Sequence, residues 1–69
     1  MSPSAYTLAE REAIAKKAMP ELNTASIVAL MAACFEVAVV LGGGGRSSLS
    51  EETQTAVREA AKELQEGTP

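Results

Sequence analysis

The chain is predicted to be all-α, a small three-helix bundle, on three observations. No segment alternates apolar and polar residues with the period of two that a half-buried strand requires. Three segments carry helix-period patterns opened by capping residues, over about 8–19, 24–41 and 51–66. A run of four glycines, Gly42 to Gly45, separates the last two and gives the chain room to turn back. At 69 residues the whole of 1–69 is one domain, with a core near the lower size limit for independent folding.

The first helix opens on Thr7-Leu8-Ala9-Glu10, the spacing of a capping box. Rotation of 100° per residue gathers Leu8, Ile14, Ala15, Ala18, Met19 and Leu22 on one side and leaves Glu10, Ala13 and Lys17 opposite. Pro20 disfavours helical geometry at Met19, so the helix stops there.

The second helix is expected to start from Asn23 or Thr24 as N-cap and to end at Leu41, with Gly42 taking the left-handed conformation. From Ala25 to Leu41 its only charge is Glu36. Size sorts the rest. Ile27, Leu30, Met31, Cys34, Ala38 and Leu41 share a bulky face flanked by Phe35 and Val37, while Ala25, Ala29, Ala32 and Glu36 line the other. The bulky face is the expected core face.

The third helix takes Ser50 as N-cap, with Glu51 and Glu52 in the first turn where the helix dipole favours negative charge. Thr53, Val57, Ala60, Ala61 and Leu64 form a narrow apolar stripe, and Gly67 closes the helix. Residues 42–48 read as a flexible glycine-rich linker. A phosphate-binding reading fails because Arg46 stands where a lysine is needed and a helix, not a strand, comes before the glycines. Leu41-Gly42-Gly43 with Arg46-Ser47-Ser48-Leu49 resembles the serine loop of carrier proteins over less than a tenth of the chain. The glycine run is too long for that loop and only one helix follows, so no family is assigned.

Composition removes several functions. Histidine is absent and the single Cys34 has no base beside it in any sequence pattern, so no catalytic residue, metal ligand or cofactor site is expected. Nine glutamates against six lysines and arginines leave a net charge of −3, which argues against nucleic acid as a partner. A lone thiol and the lack of a basic-then-apolar leader in Met1-Ser2-Pro3-Ser4 suit the cytoplasm.

The stripes of helices one and three are too narrow and alanine-rich to cover helix two. The expectation is therefore a homodimer through the central helix, with Ile27, Leu30, Met31, Cys34, Phe35, Ala38 and Leu41 as dimer core. Function is expected to be non-catalytic: a small acidic protein-binding module, regulatory or inhibitory, docking on a larger protein as accessory, phage-encoded or antitoxin-like factors do. Arg11, a charge on the apolar side of helix one, and Glu36 are the expected partner-binding residues. The alternative is a small single-span membrane protein of holin or membrane-toxin type, since the 21 residues 25–45 carry one charge, close to the ~20 residues a span needs.

Overall fold

The computed structural model describes residues 6–42 and 45–67. They form α1 (Leu8–Ala18), a 3-10 turn (Pro20–Thr24), α2 (Ile27–Gly42) and α3 (Glu51–Glu66). Each α-helix packs against the other two, and no strand occurs among the described residues. The fold is all-α, a three-helix bundle.

The capping box of α1 is complete. Thr7 Oγ1 accepts from the Glu10 amide at 3.1 Å, and Glu10 Oε1 accepts from the Thr7 amide at 2.8 Å. The helix ends at Ala18, one residue earlier than expected, because Met19 already leaves helical geometry ahead of Pro20.

The start of α2 corrects the sequence reading by three residues. Asn23 and Thr24 do not cap it; they spend their side chains inside the 3-10 turn. Asn23 Nδ2 donates to the Pro20 carbonyl at 3.0 Å and Thr24 Oγ1 to the Glu21 carbonyl at 3.3 Å. Ser26 takes the cap instead, its Oγ accepting from the Ala29 amide at 3.2 Å. At the other end Gly42 stays helical rather than turning left-handed.

The core on α2 is rotated from the expected face toward Val37, keeping Cys34 and Val37 and adding Ala33 and Val40. Ala33, Cys34, Val37 and Val40 are its buried residues, and Ala33, Val37 and Val40 cluster with Ile14 and Ala15 of α1, Leu22 of the turn, and Val57, Ala60 and Ala61 of α3. The bulky face is split. Leu30, Ala38 and Leu41 are half-buried, whereas Ile27, Met31 and Phe35 point away from the core. On α1, Leu8 is likewise exposed instead of buried. The α3 stripe is as the spacing predicts, with Thr53 and Leu64 half-buried at its ends.

Two long-range ties complete the bundle. Gln65 Nε2 donates to the Tyr6 hydroxyl at 2.8 Å, and Lys17 of α1 pairs with Glu63 of α3. The Cα radius of gyration is 11.1 Å, matching the about 11 Å expected of a folded chain of this length. A single copy therefore reaches native compactness.

Candidate functional site

The feature that sets this molecule apart is the outer face of α2. Ile27 (74%), Val28 (79%), Met31 (61%) and Phe35 (70%) are all largely exposed. They fall within an arc of about 100° opposite the buried Ala33 and Val40. Ile27, Met31 and Phe35 stand at four-residue spacing and so make one continuous ridge. Alanines 32 and 38 flank that ridge on either side. Isolated exposed apolar residues are ordinary, but a contiguous patch of four large ones is not. Sequence reasoning named three of these residues and missed Val28, whose signal was its place beside the ridge.

Glu36, the one charge of α2, is turned off this face and occupied. Its Oε1 accepts from Ser47 Oγ at 2.7 Å and from the Ser48 amide at 2.9 Å. The Ser47 hydroxyl first, and the Ser48 amide second, hold the carboxyl below the ordinary glutamate range. Ser47 Oγ in turn accepts from the Leu49 amide at 3.1 Å. Glu36 therefore fastens the second half of the 42–48 segment to α2 and sets the approach to Ser50, the cap of α3. Gly43 and Gly44 of that segment lie outside the described residues.

Arg11 is half-buried on the side of α1 that carries Ile14, Ala15 and Ala18. Among the described residues no ion pair joins it to Glu36 or to any other carboxylate. Its neighbours Glu12 and Lys16 pair with each other at 3.1 Å. The two proposed partner-binding residues are thus not one site: one is a latch, the other a charge at the edge of the core.

Cys34 is buried. Burial first, and Glu12 second, push its thiol up, with Arg11 and Lys16 opposing. A protonated, enclosed thiol is a poor nucleophile. Among the described residues no group of histidine, cysteine, aspartate or glutamate has metal-binding geometry.

A groove of about 270 Å³ runs between α1 and α3, floored by Ile14, Ala60 and Leu64 and crossed by Lys17 and Glu63. Its volume falls short of the ~300–1,000 Å³ of ligand pockets, and its two charges neutralise one another.

No described helix is long and apolar enough to cross a membrane. The 16 residues of α2 rise about 24 Å, against a hydrocarbon core of about 30 Å. Comparison with protein-family profiles, curated proteins and solved structures found no match to this chain.

Proposed function

We propose that the chain is a non-catalytic protein-binding module, regulatory or inhibitory in action, working in the cytoplasm and contacting protein through the outer face of α2. The observation that carries this reading is the ridge of Ile27, Met31 and Phe35 with Val28 beside it, exposed on a bundle whose core is already closed by other residues. Exposed apolar surface of this kind is costly in water and is retained where something covers it. Chemistry has no comparable support: among the described residues Glu10 is engaged in a cap, Glu12, Lys16, Lys17 and Glu63 in ion pairs, and Glu36 in the loop latch. A buried, reduced Cys34 suits the cytoplasm.

The test is affinity capture from host lysate with the wild-type chain and with Phe35→Glu side by side, after circular dichroism has shown equal helical content. Protein retained by the wild type and lost by the variant supports the reading. An identical set retained by both, from a wild type that is also monomeric, refutes it.

A further inference from the structure

We infer that the outer face of α2 is covered by a second copy of this chain, paired about a two-fold axis that passes near Met31. This rests on the reading of that face as a protein-contact surface, and it names the occupant.

Area is the first argument. At on the order of 120 Å² of apolar surface per exposed large side chain, Ile27, Val28, Met31 and Phe35 offer roughly 500 Å² per protomer. The alanines around them and the half-buried Val39 bring the face to about 600–700 Å², so self-pairing that covered all of it would remove at most about 1,200–1,400 Å² from water. Stable specific interfaces begin at about 1,200 Å².

Shape is the second. The row on one side of the ridge Ile27–Met31–Phe35 is Val28–Ala32 and the row on the other is Leu30–Cys34–Ala38, so the bordering grooves are least filled at Ala32 and Ala38. A ridge at four-residue spacing beside small-residue grooves is complementary to a copy of itself. Two such surfaces interdigitate at a crossing angle of about −50° with axes roughly 8–10 Å apart. The ridge is evenly spaced about Met31, so a two-fold pairing centred there uses its whole length twice.

Charge is the third. Each copy carries a net −3, yet nothing charged stands on the face, because Glu36 is turned to Ser47 and Ser48. Two copies therefore meet without opposing like charges across the contact. The face equally lacks a charged anchor that would select an acidic or basic partner. It also lacks the lysines and arginines that flank helices lying on anionic lipid.

The experiment is sedimentation equilibrium of the full chain from low micromolar to near-millimolar concentration, with Phe35→Glu and Met31→Cys as variants. The wild type should approach twice 7.1 kDa. Phe35→Glu should keep its helical content and lose self-association by on the order of 100-fold, since each dimer would bury two unpaired carboxylates. In an isologous contact the residue at the axis faces its own copy. Met31→Cys, in a Cys34→Ala background, should therefore cross-link to a covalent dimer under mild oxidation, and an equivalent Glu59→Cys on α3 should not. A wild type that stays monomeric overturns the inference and leaves the face to a different protein, which the capture comparison detects independently. A dimer that survives Phe35→Glu, or cross-links no faster at Met31 than at Glu59, overturns it as well.

Discussion

Replacing Val37 with alanine tests which face of α2 builds the core. Val37 is fully enclosed, at 0% exposure, and packs in the cluster with Ile14, Val57 and Ala61. The change removes two methyl groups, about 1.6 kcal/mol of transfer free energy at ~0.8 kcal/mol per group. A cavity of roughly 40 Å³ adds about 1 kcal/mol. The expected loss is therefore about 2–3 kcal/mol. A domain of this length has about 3–10 kcal/mol in hand, so the melting temperature should fall by about 10–20 °C. Phe35→Ala is the matched control. Phe35 is 70% exposed, and alanine is the better helix former by about half a kcal/mol, so its cost in a single copy stays below about 1 kcal/mol. The assay is urea and thermal unfolding by circular dichroism, at a concentration low enough that self-association contributes nothing. If Phe35→Ala costs as much as Val37→Ala in dilute solution, the bulky face is the core and the packing described above is wrong.

Ser26→Ala should destabilise the protein by about 1 kcal/mol through loss of the α2 cap, and Asn23→Ala by much less; equal effects in urea titration would return the helix start to residue 24. The Glu36 latch should show in pH dependence. Because the folded carboxyl titrates below its unfolded counterpart, its contribution is fully present above the unfolded pKa of about 4.3 and is lost as pH falls through the folded value. Glu36→Gln should therefore narrow the difference in urea midpoint between neutral and acid pH. An unchanged difference would mean that the Ser47 and Ser48 hydrogen bonds do not contribute in solution.

The helix count, the capping box at Thr7, the Ser50 cap and the buried stripe of α3 were all legible in the sequence, because each rests on contacts within a few residues. The α3 stripe could be read because its outer face is charged, with Arg58, Glu59, Lys62 and Glu63 exposed. What could not be read was how residues 23 and 24 divide their hydrogen bonds. Either side chain is an acceptable cap in isolation, and only the tight turn after Pro20 turns both into donors to the turn's own carbonyls. The Glu36 latch was hidden for a different reason. It joins residues 11 and 12 positions apart across the glycine run, where no local periodicity carries a signal.

The rotation of the α2 core toward Val37 has a physical cause that a hydrophobicity pattern cannot express. This helix is apolar nearly all round, so periodicity does not choose a face, and side-chain bulk is the one difference the sequence offers. The partners decide instead. Helices α1 and α3 bring Ala15, Ala60 and Ala61 into the core beside two branched residues, Ile14 and Val57. Surfaces that small draw the axes together, and the space between them has to be filled at close to crystal density without strain. Ala33, Val37 and Val40 fit that gap. Methionine and phenylalanine at the same positions would overpack it, at a cost of about 1–3 kcal/mol each. The largest side chains of α2 are therefore displaced to the outside by the smallness of what the other helices bring. Their exposure is a consequence of how this chain packs its own core, and the surplus apolar surface it leaves on α2 would release free energy if a partner surface covered it.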